Sequence, residues 1–204
     1  MVEQHIYQTI KNYVPENSVH YCYDLWKNHP FELKISRARS SKLGDYRFDY
    51  RDKSESISVN RNLNPYAFLI TYLHEVAHLK AYHSYGRKIS PHGKEWKRTF
   101  SDLLEPVISD LVFPEEVLEA IRNYQKSPKA TSGGDHALAL ALNRINGDEG
   151  KLLAELEEGS LFKLGKKIFR KENLRRTRYL CEEVKSGRKY LVSRNAVVHG
   201  ISKP

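Results

Sequence analysis

The residues of this sequence most suited to chemistry are two histidines and a glutamate in the run His74-Glu75-Val76-Ala77-His78. On an α-helix, residues four positions apart project about 40° apart around the axis, so both imidazoles can reach one point. Two neutral imidazoles at one point form a transition-metal site, most commonly for zinc. A glutamate directly after the first histidine lies beside that metal, where a general base belongs. The spacing therefore predicts a catalytic zinc site.

The residues around this motif predict the helix that it needs. Residues 66–73 and 79–82 are mostly apolar and continue the helix on both sides. Asn64 followed by Pro65 is a good N-cap with proline at the first helical position, and Gly86 predicts the helix end. A glutamate and two histidines buried in such a helix without partners would be costly, which favours a ligand role.

A catalytic zinc needs a third protein ligand and one open coordination position. His83 lies about 140° from His78 on a continuous helix, so we predict that it is a surface residue. The next predicted helix begins near His92 and Glu95, and either side chain could complete the site. We favour His92, because Glu95 is equally explained as an acid in the first turn of a helix. The apolar face of that second helix comprises Trp96, Phe100, Leu103 and Leu104.

The order of these motifs resembles the SprT/Spartan family of zinc metallopeptidases. The pentapeptide is followed by a variable loop and by His92-Gly93-Lys94-Glu95-Trp96, and strand-like runs at residues 42–47 and 57–63 precede it. The resemblance covers about residues 1–126. It implies that three histidines bind Zn²⁺ and that the neighbouring glutamate is the catalytic acid–base. The implied zinc ligands and catalytic residue are His74, His78, His92 and Glu75.

The same resemblance implies an endopeptidase that acts on proteins at or crosslinked to DNA, so the expected partners are a protein or peptide substrate and DNA. An alternative is a nucleic-acid-binding protein with a structural or inactive metal site, and another is a peptidase whose tail binds a protein. The oxyanion-stabilising residue stays open. The candidates near the motif are Tyr82, Tyr85, Arg87 and Lys88.

The predicted fold class is α+β, with a zincin-like catalytic domain followed by a small basic β-rich module. Residues 2–14 and 16–27 have helical spacing, and a further helix begins at Pro114. Alternating residues at 31–36, 46–50 and 56–59 predict a small antiparallel meander sheet that packs on the metal-bearing helix. An exposed edge strand of this sheet could hold a peptide substrate by strand addition.

The predicted organisation is a catalytic domain at residues 1–126, a linker at 127–136 and a C-terminal region at 137–204. Short helices are expected at residues 136–146 and 151–158, and a small antiparallel sheet from Ser160 onwards. The aromatic residues Phe162, Phe169, Tyr179 and Tyr190 are expected in the core of that sheet, and the alternative is that they stack on unpaired bases. Because Cys181 has no cysteine partner nearby in the sequence, we predict no zinc ribbon in this region.

The positive charge is concentrated at the C-terminal end. Residues 160–204 contain thirteen Lys and Arg but three Asp and Glu, within a chain of net charge +9. Lysine and arginine neutralise phosphates, which predicts binding of single-stranded or structured DNA with low sequence specificity. The predicted phosphate contacts are Lys163, Lys166, Lys167, Arg170, Arg175, Arg176 and Arg178, with Lys171 nearby.

The remaining features concern the cellular setting. None of the apolar runs among the 204 residues approaches the ~20 needed to cross a membrane, and the first residues lack the pattern of a signal peptide. Cys22 and Cys181 are far apart in the sequence and are predicted to be reduced. We therefore expect a cytoplasmic protein without a membrane partner.

Overall fold

The chain divides into two compact units, Met1–Ser132 (the N-terminal unit) and Gly133–Pro204 (the C-terminal unit). The computed structural model describes residues 2–39, 42–126, 128, 135–147 and 150–202. The predicted α+β class is confirmed, because helices and a small sheet make up the first unit and strands dominate the second. Most of the predicted linker lies outside the described residues, and the predicted domain limits stay a prediction.

The N-terminal unit combines five α-helices with a three-stranded sheet in its described part. The helices confirm those predicted from the spacing of apolar residues, with ends that differ by a few positions. The elements are α1 (Val2–Tyr13), α2 (Val19–Asn28), β1 (Glu32–Ser36), β2 (Gly44–Phe48), β3 (Glu55–Asn60), α3 (Pro65–Tyr85), α4 (Lys94–Leu104) and α5 (Glu115–Lys126), with 3₁₀ turns at Glu16–Ser18 and Glu105–Val107.

The sheet is mixed, and the predicted antiparallel meander is wrong. The strand order is β1-β3-β2, in which β3 is parallel to β1 and antiparallel to β2. The last of the three strands in sequence is the central one, and its inward residues, Ile57 and Val59, are fully buried at 0% exposure. The more exposed β1 and β2 form the two edges of the sheet within the described residues.

Helix α3 is the centre of this unit and packs against α4 and against the β2–β3 side of the sheet. Its predicted ends are confirmed. The Asn64 side chain accepts a hydrogen bond from the Ala67 N–H at 2.8 Å, and Gly86 ends the helix with a φ of 73°. Most of the side chains of α3 are buried, so the polar residues of its motif lie inside the unit.

The C-terminal unit contains one described α-helix and an antiparallel sheet. The strand order is β4-β9-β5-β6-β7-β8. The side chains of its core are Leu153, Phe162, Phe169, Cys181, Val192 and Val198, which confirms the interpretation of the two phenylalanines as core. Tyr179 and Tyr190 are partly buried and pack against this core. The elements are α6 (His136–Arg144), β4 (Lys151–Leu152), β5 (Leu161–Leu164), β6 (Lys167–Arg175), β7 (Arg178–Glu183), β8 (Lys189–Ser193) and β9 (Val197–Ser202).

The helix predicted at residues 151–158 is wrong. This segment forms the short strand β4 and a 3₁₀ turn at Leu153–Glu155. The backbone N–H of Leu153 donates to Ala196 C=O, and that of Ala154 donates to Arg194 C=O, both at 2.9 Å. These tertiary hydrogen bonds replace the local ones of a helix, because they let Leu153 enter the core of the sheet.

Cys22 and Cys181 are both free and buried. Within the described residues, every helix is too short or too polar to span a bilayer.

Candidate metal centre

Three histidine side chains converge on one point of the N-terminal unit. His74 and His78 lie one helical turn apart on α3, and their Nε2 atoms are 3.3 Å apart. The Nε2 atom of His92 lies 3.1 Å from that of His74 and 3.0 Å from that of His78. The structure therefore brings together the three histidines that the sequence motifs singled out.

The spacing of these nitrogens fits a metal ion better than hydrogen bonding. A neutral Nε2 atom either donates or accepts, so in a triangle of three such atoms at least one pair must oppose two like groups. A tetrahedral cation with metal–nitrogen bonds of about 2.05 Å would hold its nitrogens about 3.3 Å apart, close to the distances found. His74, His78 and His92 could thus hold a metal ion.

Burial keeps these imidazoles in the form that binds metals. It lowers the pKa of His74 to about 3, with further contributions from His78 and His92. Burial first and His92 second lower the pKa of His78 to about 4. The pKa of His92 is also lowered by burial. All three rings are therefore neutral at pH 7, with a nitrogen lone pair available to a cation.

The loop between α3 and α4 delivers the third histidine through an uncommon backbone conformation. His92 has a φ of 60°, in the left-handed region that histidine adopts more readily than most residues. Gly93 follows as the N-cap of α4, and its N–H donates to Ser90 C=O at 2.9 Å. The loop thereby turns the His92 ring back over α3.

An indole ring supports all three imidazoles. The Trp96 ring centroid lies 4.6 Å from that of His74, 5.2 Å from His78 and 4.7 Å from His92. Its side chain is 1% exposed and stacks on Phe100 at 5.0 Å. Within the described residues, the buried indole N–H has no hydrogen-bond partner. Packing of this kind restricts ring rotation, so Trp96 helps to keep the three Nε2 atoms pointing inward.

The Glu75 carboxylate lies between α3 and the edge strand β2. It is buried, at 6% exposure, and accepts a hydrogen bond from the backbone N–H of Tyr46. Burial raises the pKa of Glu75 to about 8, and the Tyr46 amide opposes this rise. A cation held by the adjacent histidines would also favour the ionised carboxylate and lower that pKa. The group is therefore placed to exchange a proton near neutral pH.

The two alternatives for the third ligand lie elsewhere. Among the described residues, the histidine triad is the one cluster of three or more potential ligands whose atoms lie within 4.8 Å of one another, and Glu95 is outside it. His83 is exposed and its Nε2 lies 2.9 Å from both carboxylate oxygens of Glu55. This agrees with the prediction that His83 is a surface residue.

The four residues considered as oxyanion stabilisers either contact other side chains or are exposed. Tyr82 packs against Phe48, with ring centroids 5.0 Å apart. The Arg87 guanidinium bonds to Tyr82 and lies 3.8 Å from the ring centroid of Tyr50. Tyr85 and Lys88 are exposed. The role of oxyanion stabiliser thus stays unassigned.

Sequence reasoning missed the contribution of β2 to the site. Gly44 and Tyr46 lie against the Glu75 side chain, the first by close approach and the second through its backbone N–H. A backbone donor leaves no trace in a sequence. A glycine in a strand, by contrast, is visible in the sequence and often marks a place where another group approaches the backbone closely.

The seven predicted phosphate contacts of the C-terminal unit are all exposed. Lys167 is also paired, with its Nζ 3.1 Å from Glu183 Oε2 and 3.3 Å from the Tyr190 hydroxyl. Lys171 was expected near this group but is buried at 4% exposure, and its ammonium group donates to Leu156 C=O. Lys171 is therefore part of the packing of the sheet, and the prediction that it joins the phosphate-binding cluster is wrong.

Three of the arginines gather at the hairpin between β6 and β7. Arg175 and Arg178 are cross-strand partners, and Arg176 lies in the turn with a φ of 56°. Like charges on opposite strands repel, and a left-handed φ is costly for a residue other than glycine. The hairpin tip therefore holds positive charge at the expense of stability.

Comparison with known proteins gives one match. The model of a family described as the SprT-like family matches residues 5–108, about half of the chain's 204 residues. A search of curated proteins and a search of solved structures each gave no match.

Proposed function

The chain belongs to the SprT-like family, and we propose that it is a zinc-dependent endopeptidase with a zincin-like catalytic unit. The observation that carries this proposal is the triangle of Nε2 atoms, 3.0 to 3.3 Å apart, with the Glu75 carboxylate on the adjacent residue. Three nitrogen donors favour zinc over magnesium or calcium, which prefer oxygen ligands. A zinc ion held by these three histidines would keep one coordination position available to water or substrate.

The roles of the chain's own residues follow from their positions. His74, His78 and His92 would hold the zinc through Nε2. A bound zinc supplies Lewis acidity, which polarises a peptide carbonyl and acidifies a water molecule. The Glu75 carboxylate takes the proton of the attacking water and delivers it to the leaving amine nitrogen. The hydrogen bond from the Tyr46 amide holds this carboxylate during both transfers.

We further propose that the substrates are proteins at or crosslinked to DNA. The charges of the C-terminal unit support this, because exposed arginines and lysines attract phosphates without reading base sequence. Tethering to DNA raises the effective concentration of a peptidase near DNA-bound proteins and lets a weak protease be selective. The outer edge of β2, whose Tyr46 N–H already bonds the Glu75 carboxylate, could hold an extended segment of the substrate by strand addition at its other backbone groups.

The test compares zinc-loaded wild-type protein with Glu75→Gln on a DNA-bound basic protein. The amide keeps the size of the side chain but cannot accept the proton, so we expect full zinc content and loss of cleavage. Glu95→Gln is the matched control, because Glu95 is a carboxylate of α4 outside the triad, and it should retain both properties. Equal cleavage by Glu75→Gln and wild type would contradict the proposed mechanism.

A nucleic-acid-binding protein with a structural metal site is the second candidate, and the arginine hairpin favours it. Under this alternative, zinc loading would stabilise the chain but neither wild type nor Glu75→Gln would cleave a DNA-bound protein. Both candidates predict that DNA affinity falls steeply between about 50 and 200 mM salt. Changing Arg175, Arg176 and Arg178 to alanine should lower the number of counterions released on DNA binding by about two to three. This number is read from the slope of log affinity against log salt concentration. An unchanged salt dependence would instead favour a tail that binds protein.

A further inference from the structure

Strand β2 lies unusually close to α3 at Gly44. A Cβ atom built on Gly44 would lie 2.7 Å from Glu75 Cγ and 2.8 Å from Thr71 Cγ2, and nearer still to Glu75 Oε1. Real Cβ atoms essentially never approach other atoms within 3.0 Å. A residue with a side chain at this position would therefore push β2 away from α3 or displace the Glu75 side chain.

The backbone of Gly44 does not itself require glycine. Gly44 lies in a regular strand and is not one of the glycines with positive φ. Glycine at such a position costs stability relative to other residues, because it loses more conformational freedom on folding and has no side chain to pack. The steric constraint from Thr71 and Glu75 thus accounts for glycine at this position.

The neighbouring contacts explain why the approach matters to the carboxylate. The Thr71 hydroxyl donates to Ala67 C=O at 2.7 Å, which fixes the rotamer that turns its methyl group towards β2. Two residues beyond Gly44, on the same edge of the strand, the Tyr46 N–H reaches the Glu75 carboxylate. Moving β2 outward by even 1 Å would break this hydrogen bond.

We propose that Gly44 is a positioning residue for Glu75: its lack of a side chain lets β2 lie against α3, so that the Tyr46 amide holds the carboxylate beside the histidine triad. The inference rests on the proposed function for its catalytic consequence but not for its packing consequence. The catalytic and the packing consequence are both measurable, so the experiments distinguish a failure of this inference from a failure of the proposed function.

The catalytic test measures kcat and zinc affinity of Gly44→Ala. We expect kcat to fall about tenfold or more, because a displacement of about 1 Å can cost up to a hundredfold, while zinc affinity stays within about threefold. Thr71→Ser keeps the hydroxyl but removes the crowding methyl, so it should restore part of the kcat in the double variant. Gly86→Ala is the control, because its left-handed φ of 73° costs stability but its added Cβ would meet open space. Unchanged kcat in Gly44→Ala, or an equal loss in Gly86→Ala, overturns the inference.

The packing test needs no activity. The unfolding equilibrium constant should rise about fivefold or more in Gly44→Ala, as expected for overpacking. The rise should be smaller in a Glu75→Ala background, which lacks the crowded Cγ. Equal effects in both backgrounds would overturn the inference even if the protein is a peptidase. If the destabilisation by Gly44→Ala depends on Glu75 but the wild type cleaves no substrate, the packing inference is upheld and the proposed function is rejected.

Discussion

Loss of His92 should abolish most of the stabilisation that zinc gives to the N-terminal unit. The three Nε2 atoms already stand 3.0 to 3.3 Å apart, so binding requires little rearrangement. At free zinc one hundred times the dissociation constant, binding stabilises the folded state by about 2.7 kcal/mol. A unit of about 130 residues has an unfolding entropy near 0.27 kcal/mol/K, so its Tm should rise by about 10 °C.

The magnitude for the variant follows from the same relation. Loss of one supporting group around a metal typically weakens binding by about 10 to 100-fold, so loss of a direct ligand should cost at least about a hundredfold. At the same free zinc, His92→Ala would then be half saturated and stabilised by about 0.4 kcal/mol. Its Tm should rise by about 1 to 2 °C.

The assay is scanning calorimetry in zinc buffers, with and without the metal, on wild type, His92→Ala and His83→Ala. His83 is the matched control because it is a histidine of the same unit that pairs with Glu55 outside the triad. It should retain the full zinc-dependent shift. A full shift in His92→Ala, or its loss in His83→Ala, would refute the assignment of the third ligand.

Three further predictions concern individual side chains. Trp96→Leu should weaken zinc binding about tenfold in a chelator competition, because the three imidazoles lose their support; unchanged affinity would count against this role. Lys171→Ala should destabilise the C-terminal unit by about 1–3 kcal/mol in denaturant titrations, since Leu156 C=O loses its donor, with DNA affinity unchanged. Hydrogen bonds from Ser186 and Lys167 lower the pKa of Glu183 below its ordinary value of 4.5. The carboxylate should therefore contribute stability above that value and lose it as pH falls through the lowered pKa, and Glu183→Gln should flatten this dependence in the range below pH 4.5.

The helix that carries the motif was predictable because its signals are local. Asn64, Pro65 and Gly86 fix its ends, and the four-residue spacing of His74 and His78 fixes their common face. The second helix was predictable in the same way from its apolar spacing. The sequence could name His92 only as a candidate, because its approach to the triad depends on a left-handed backbone in the α3–α4 loop.

Features that depend on distant parts of the chain were missed. The central place of β3, where Ile57 and Val59 are fully buried, depends on its pairing with both other strands, which alternation alone does not reveal. The segment at residues 151–158 has helical spacing, but backbone hydrogen bonds to residues 194 and 196 override it. Lys171 is a basic residue in a basic segment, yet its place on the inner face of β6 buries it. In each case tertiary contacts outweigh the local pattern.

The assignment of a zinc site to His74, His78 and His92 is best tested by a crystal structure of the zinc-loaded protein with anomalous scattering at the zinc edge. This assignment predicts a single strong peak about 2.0–2.1 Å from the Nε2 atoms of all three histidines, with the fourth coordination position open to solvent. A zinc ion bound by Glu95 in place of His92, or one whose fourth coordination position is filled by another protein ligand, would contradict it.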